Sequence, residues 1–200
     1  MKNLQIAPAG VGELLSNDTF NVPMYQRTYA WTTVQVRAML TDITGAIKRK
    51  AANKGDAHFL GTVVVIRRDG KRGLEIVDGQ QRLATASIII AAIRDYHLKN
   101  GPAKAAEAYD RFLRTFHVPS GRYLPNLRLN EIDDRCYSNA ILEEPSKRSK
   151  DFKWTIGSHR RLLDAYNCAV EHVASIEKIS APKDTVQSLY EIVEFIRANR

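Results

Sequence analysis

Apolar residues recur along the chain in two rhythms. From Thr33 onward, Val36, Leu40, Ile43 and Ile47 stand at i, i+4, i+7 and i+11, the spacing of one helix face, with Thr32 or Thr33 available as the cap. Between residues 59 and 77 the rhythm changes. F-L-G-T-V-V-V-I and L-E-I-V are short β-branched runs separated by R-R-D-G-K-R-G, a charged turn with two glycines, and this pattern predicts a hairpin. T-F-N-V-P-M-Y, nearer the N-terminus, predicts another strand, and Pro23, which has no N–H for a ladder, marks a strand end or a sheet edge. Gly10 to Ser16 predicts a short helix around Leu14 and Leu15. From Leu83 to about His97 the sequence L-A-T-A-S-I-I-I-A-A-I-R-D-Y is apolar on nearly every side, as a helix enclosed by its neighbours would be.

N-G-P at 100–102 is the clearest break and predicts a boundary, with residues 1–100 as one domain and 103–200 as a mainly helical continuation. In the second part Ala105, Tyr109, Phe112 and Phe116 are spaced as a helix face, N-L-R-L-N reads as a short strand, and E-I-D-D-R-C-Y-S-N-A-I-L reads as a helix. E-E-P-S-K-R-S-K-D reads as a polar linker. It leads into a long helix near Ser158 to Glu177 and a last one striped by Val186, Leu189, Tyr190, Val193 and Ile196. The class is α+β.

Composition narrows the function. The 44% hydrophobic content over 200 residues is enough for a sizeable core. No run approaches the roughly 18 apolar residues of a membrane span, and M-K-N-L-Q-I-A-P-A-G lacks the apolar stretch of a signal peptide, so a cytoplasmic protein without a membrane partner is expected. Cys136 and Cys168 have no C-x-x-C partner and read as small core residues. The five histidines show no i, i+4 pair, which leaves no metal cage local in sequence. Thirty Lys and Arg against 22 Asp and Glu give a net charge of +8, which suits a polyanionic partner. Basic residues gather at Lys48, Arg49, Lys50 and Lys54, at Arg67, Arg68, Lys71 and Arg72, and at Lys147, Arg148, Lys150 and Lys153. These clusters read as solvated faces, or as a phosphate track if two of them share one side. The chain has no G-x-x-x-x-G-K-[ST], so a Walker-type phosphate loop is excluded.

The candidate chemistry lies where the second hairpin strand runs into the enclosed helix, at Asp78, Gly79, Gln80, Gln81 and Arg82. A helix starting at a glycine presents unpaired N–H groups and the positive end of its dipole, a setting for phosphate oxygens, and Arg82 adds a forked cation. Asp78 would repel a phosphate unless a metal such as magnesium bridged the two, or unless it oriented water or a sugar hydroxyl. The plainer alternative makes Asp78 the helix cap, leaves the glutamines solvated and puts Arg82 in an ordinary ion pair. A second constellation, V-P-M-Y-Q-R-T-Y-A-W, interleaves Tyr25, Gln26, Arg27, Tyr29 and Trp31. That is a composition for stacking on bases and gripping phosphates, or for packing the aromatic rings on the following helix.

Taken in order, V-P-M-Y-Q-R-T-Y-A-W, H-F-L-G-T-V-V-V-I and E-I-V-D-G-Q-Q-R-L-A-T closely resemble the N-terminal domain of GmrSD-type modification-dependent restriction enzymes, from about residue 14 to 96. The resemblance implies a ParB/sulfiredoxin-like fold with a small mixed sheet. It also implies binding and hydrolysis of a nucleoside triphosphate, GTP or another, in bacterial defence against phage or foreign DNA. Asp78, Gln81 and Arg82 would be the catalytic residues, and Gln26, Arg27, Gly79 and Gln80 would bind nucleotide. Magnesium would sit at Asp78, and DNA would be met by Tyr25 and Trp31. The SspE-like branch of the family, which senses phosphorothioate-modified DNA, is included in this implication. Gln80 and Gln81 stand where sulfiredoxin chemistry needs a cysteine, so thiol repair is not expected. N-L-R-L-N-E-I-D and S-H-R-R-L-L-D-A-Y are weaker echoes of the same family. Members usually continue into an Asn-x-x-Gly segment and often an HNH nuclease domain. The sequence contains neither, so nuclease activity is expected outside this chain, which reads as a piece of a longer protein. The competing expectations are a ParB-like nucleotide- or DNA-binding module without turnover, and a plain interaction domain.

Overall fold

The structure is a computed structural model and describes residues 14–16, 18–52, 61–67, 73–101, 103–149 and 155–198. Its sheet is organised around a strand of only two residues, β1 (Phe20–Asn21). The hairpin expected from the β-branched runs supplies β2 (Val64–Arg67) and β3 (Leu74–Asp78), paired antiparallel. The order is β2-β3-β1-β6, where β6 (Leu127–Arg128) is the strand read from N-L-R-L-N. β1 lies parallel to both neighbours, with Phe20 opposite Leu74 on one side and Leu127 on the other. Pro23 therefore marks a strand end and not a sheet edge. Val64 and Ile66 are exposed on the edge strand β2. The hairpin turn at 68–72 and the Phe-Leu of 59–60 lie outside the described residues.

Helix α1 (Thr33–Ala51) starts at Thr32 with a capping box. The Val34 N–H donates to Thr32 Oγ1, and the Gln35 side chain accepts from the Thr32 N–H at 2.9 Å. Its buried face is Val36, Met39, Leu40, Ile43 and Ala46. Lys48, Arg49 and Lys50 form its last turn, where cations suit the negative end of the dipole. Helix α2 (Gln80–Asn100) is buried along most of its length. Helices α3 (Ala103–Asp110), α5 (Gly157–Ile179) and α6 (Pro182–Ala198) pack around it, which explains why its sequence shows no polar face.

Two expectations change. The break at 100–102 ends α2 but does not separate two cores. β6 comes from beyond it and joins the sheet of β1, and Phe20, Ile76, Leu127, Leu162 and Ile196 belong to one buried cluster. The division into 1–100 and 103–200 is thus not a packing boundary. The helix face drawn through Phe116 also stops early. Residues Arg114–His117 are a strand, β4, paired antiparallel with β5 (Arg122–Pro125) in a ribbon of its own, and Phe116 is exposed. The β-branched Thr115 and Val118 and the Pro119–Gly121 turn favour a hairpin over a continued helix.

The 143–149 segment is also more than a linker. Helix α4 (Glu131–Tyr137) runs on as a π-helical turn to Leu142, and its last carbonyls need donors. Arg94, only 1% exposed, supplies them: Nη1 donates to Leu142 O, and Nη2 donates to Ile141 O and Glu143 O. Its remaining donors reach Asp95 Oδ1 from Nε and Asp110 Oδ1 from Nη1, so all five guanidinium N–H groups are matched. Asp95 Oδ2 in turn accepts from Arg148 and from the Tyr166 hydroxyl. Arg148 is therefore committed inside the protein and is removed from the expected basic face. Arg94→Met should lower unfolding stability by about 3–5 kcal/mol, because Asp95 and Asp110 would lose a buried countercharge. Arg94→Lys should recover little, since an ammonium cannot span five diverging acceptors. Urea denaturation of the two variants tests this, and a near-wild-type Arg94→Lys would show that charge alone suffices.

Candidate functional site

The strand–helix join forms as it does because of two glycines. Gly79 has φ +89°, and a Cβ there would lie 2.8 Å from Thr62 O and 3.0 Å from Val63. It ends the strand, and α2 begins with no side-chain cap. Asp78 is therefore not the cap; it stands exposed at the end of β3. Gly61, with φ +103°, lies under the Arg82 guanidinium, and a Cβ there would approach Arg82 Nε to 2.7 Å. Arg82 Nη1 donates to Thr62 O at 3.0 Å. The glycine of the Phe-Leu-Gly stretch and the arginine of the join are thus one fitted contact.

The two glutamines face the loop that contains Gln26 to Trp31. Gln80 and Gln81 are 7% and 6% exposed. Gln80 Nε2 donates to Arg27 O at 3.0 Å, and Gln81 Nε2 donates to Thr28 O at 3.3 Å. Gln81 Oε1 accepts from the N–H of Ala30 at 2.8 Å and of Trp31 at 3.3 Å. From the other side Gln26 Nε2 donates to Val77 O at 2.9 Å, one residue before Asp78. A loop without a ladder must pair its polar backbone in some other way, and side chains of the join do so here.

The rest of the loop is held from the second half of the chain. Asn130 Nδ2 donates to Gln26 O, and Asp133 Oδ2 accepts from the Tyr29 N–H at 2.6 Å. Arg161 Nε donates to Tyr29 O at 2.9 Å. Asp133 Oδ1 also accepts from Ser158 Oγ in the first turn of α5, where a carboxylate suits the helix dipole. The Tyr29 hydroxyl bonds Thr85 Oγ1 at 2.8 Å, and burial pushes its pKa up, so it stays neutral. Two openings adjoin the loop. One is a cavity of about 10 Å³, enough for a single water, between Gln80, Gln81, Tyr29, Asn130 and Asp133. The other is a cleft of about 300 Å³ lined by Met24, Gln26, Arg27, Thr28, Asn130, Glu131 and Ile132.

The residues expected from sequence are therefore gathered, though not all in the roles expected. Gln26 touches the join, and Arg27 is exposed beside it. Gln80 and Gln81 have their amides on the loop backbone. Tyr25 is 69% exposed, whereas Trp31 is half-buried against the core. Asn130, Asp133, Ser158 and Arg161 were not singled out, although they lie inside the two echoes N-L-R-L-N-E-I-D and S-H-R-R-L-L-D-A-Y. Lys54, Arg68, Lys71, Arg72, Lys150 and Lys153 lie outside the described residues. Among the described residues no group of three or more His, Cys, Asp and Glu could hold a metal, and no helix is long and apolar enough to cross a membrane.

A small mixed sheet, a loop clamped onto a strand–helix join and a helical remainder closing over both define an α+β domain built around that join. The chain belongs to the family described as the GmrSD restriction endonuclease N-terminal domain, whose model matches residues 11–198. It is thus grouped with the N-terminal parts of restriction enzymes, a class with a role in defence. No curated relative matches the chain. The match spans both sides of the break at 100–102, as does the core.

Gln81→Ala removes three loop contacts at once and should cost about 1–3 kcal/mol, the usual penalty for buried groups left unpaired. Hydrogen exchange at Thr28 to Trp31 should accelerate more than exchange in α6. Uniform acceleration across the chain would show that Gln81 supports the whole fold and not the loop in particular.

Proposed function

We propose that this domain binds and hydrolyses a nucleoside triphosphate and so regulates a DNA-restriction effector in anti-phage defence. The observation that supports the reading best is the Gln26–Val77 bond. It draws the loop with Arg27 onto the join with Asp78, Gly79 and Arg82, so that two arginines, a carboxylate and an uncapped helix start are contributed by adjoining segments. The backbone N–H groups at the start of α2, opened by Gly79, and the Arg82 guanidinium would receive phosphate oxygens, with Arg27 adding charge from the loop. Asp78 would orient the attacking water or hold magnesium, which usually keeps several waters and bridges phosphates with one or two carboxylates. When bound, the metal neutralises phosphate charge. Gln80 and Gln81 contribute by fixing the loop that presents Gln26 and Arg27. Tyr25, two residues before Arg27, is the exposed ring available to stack on DNA, including phosphorothioate-modified DNA, while Trp31 anchors the loop. The nuclease belongs to a separate domain or partner.

One observation favours a second reading, nucleotide or DNA binding without turnover. The Gln81 amide is engaged at both ends and is placed to hold the loop, not a water. Calorimetry with GTP, ATP, CTP and UTP, with and without magnesium, followed by phosphate-release assays, separates the two. Arg82→Ala should weaken binding about ten- to a hundred-fold, equivalent to about 1.5–3 kcal/mol. Asp78→Asn should retain binding and lose phosphate release. Binding without release in the wild-type protein would select the second reading, and no binding of any triphosphate would refute the first and leave the second only as DNA binding.

A further inference from the structure

The β4–β5 ribbon stands apart from the main sheet and bears an aromatic pair on one face. Phe116 and Tyr123 lie directly opposite each other in the register, their ring centroids 5.3 Å apart in an edge arrangement. They are 49% and 58% exposed. The Arg114 guanidinium lies 5.1 Å from the Tyr123 ring centroid and holds that ring from beneath. The charge pattern around the pair is one-sided. From Arg111 to Arg128 the sequence has four arginines and no aspartate or glutamate. Of these, Arg111, Arg122 and Arg128 are exposed, while Arg114 is matched at the ribbon base by Asp110, Glu143 and Glu144.

Besides Arg114, the ribbon is fixed in place by Asn126. Asn126 is 1% exposed and uses all its polar groups. Its N–H donates to Leu113 O, and its carbonyl accepts from the Phe20 N–H at the start of β1. Its Nδ2 donates to Leu15 O and Arg111 O, and its Oδ1 accepts from Thr115 Oγ1. A solvent-facing aromatic pair with exposed arginines close by in the chain, Arg122 next to Tyr123 and Arg111 with its guanidinium 4.9 Å from the Phe112 ring centroid, has the requirements for holding unpaired bases: π-faces for stacking and cations for the backbone. A protein partner would be expected to meet charges of both signs, and the exposed charges from 111 to 128 are all positive.

We infer that the ribbon is a single-stranded nucleic-acid platform, with Phe116 and Tyr123 stacking on bases and Arg122 and Arg111 meeting phosphates. It is a second surface, separate from the loop at Tyr25, and it extends the restriction reading without depending on nucleotide turnover. The test is fluorescence anisotropy of the full chain with a labelled oligothymidylate of about twelve nucleotides and with a matched duplex, both without any triphosphate, so failure of the phosphate-release reading does not affect the result. The single strand should bind more tightly than the duplex. Phe116→Ala and Tyr123→Ala should each weaken it by about ten-fold, with unfolding midpoints near wild type. Arg122→Ala should reduce the slope of log affinity against log salt by about 0.7. Three results would overturn the proposal. These are no oligothymidylate binding by the wild-type chain, binding that survives both aromatic substitutions, and wild-type self-association abolished by them, which would assign the face to a second copy.

Discussion

The side-chain amide of Gln81 donates to one peptide of the 26–31 loop and accepts from two others, and the arrangement of the site depends on this contact. A loop lying against a sheet end brings polar backbone groups with it, and each must be paired or carry a penalty of a kcal/mol or more. A side-chain amide carries a carbonyl and an NH2 group held in one plane like those of a peptide, so it can stand in for a neighbouring strand. Two adjacent glutamines at the start of a buried helix do this without placing a charge in the core. Asp133, which accepts from the Tyr29 N–H and Ser158, places its carboxylate at the start of α5, while Arg161 from the same helix donates to Tyr29 O.

The other contacts of the same loop tie the two halves of the chain into one core among the described residues. The loop's partners come from residues 77–81 on one side and 130–161 on the other, so the helical part completes the site instead of following it. Arg94 makes an equivalent link at the opposite end of α2, closing the carbonyls of the π-helical turn while Arg148 and Tyr166 close over Asp95. Helix α2 is thus tied at its first turn to the loop and near its end to the segment after α4. A buried helix tolerates these two links because Gln81 and Arg94 are matched at each of their polar ends, whereas His97, buried between them and the helix end, packs against the Tyr96 and Tyr109 rings with neither ring nitrogen hydrogen-bonded.

Much of this was legible in the sequence, and the failures have identifiable causes. Helix α1 was readable because its i, i+4, i+7 spacing and its Thr32 to Gln35 box are both local. The hairpin was readable because its turn is rich in charge and glycine. The loop and the join could be recognised as belonging together only through resemblance, since the hydrogen bonds between them span about fifty residues and leave no periodic trace. What the glutamines face was not readable at all, because a buried amide and a ligand-binding amide have the same composition. The boundary at 100–102 misled for a related reason: Asn and Gly next to Pro report a change of backbone direction, whereas the limits of a core are set by long-range pairing such as β1 with β6. Phe116 was assigned to a helix because Tyr109, Phe112 and Phe116 stand at i, i+3 and i+7 and satisfy that spacing, even though the turn residues just beyond it favour a strand pair.

Function in such a domain turns on what remains accessible once the fold has used its polar groups. The glutamines, Asn130 and Asp133 are buried in holding the loop, and Trp31 is half-buried against the core. Asp78, Arg27 and Tyr25 are exposed at the rim, and Arg82 lies over Gly61 with one donor on Thr62 O. The DGQQR stretch therefore divides its work by position: its middle residues fix geometry, and its ends offer charge. A ligand reaching Arg82 or Arg27 would act on a loop whose peptides are bonded directly to α2, α4 and α5, so any shift of the loop has to break or move contacts on three helices together. That is the physical requirement for a switch, because packed side-chain networks move between discrete arrangements and do not deform continuously.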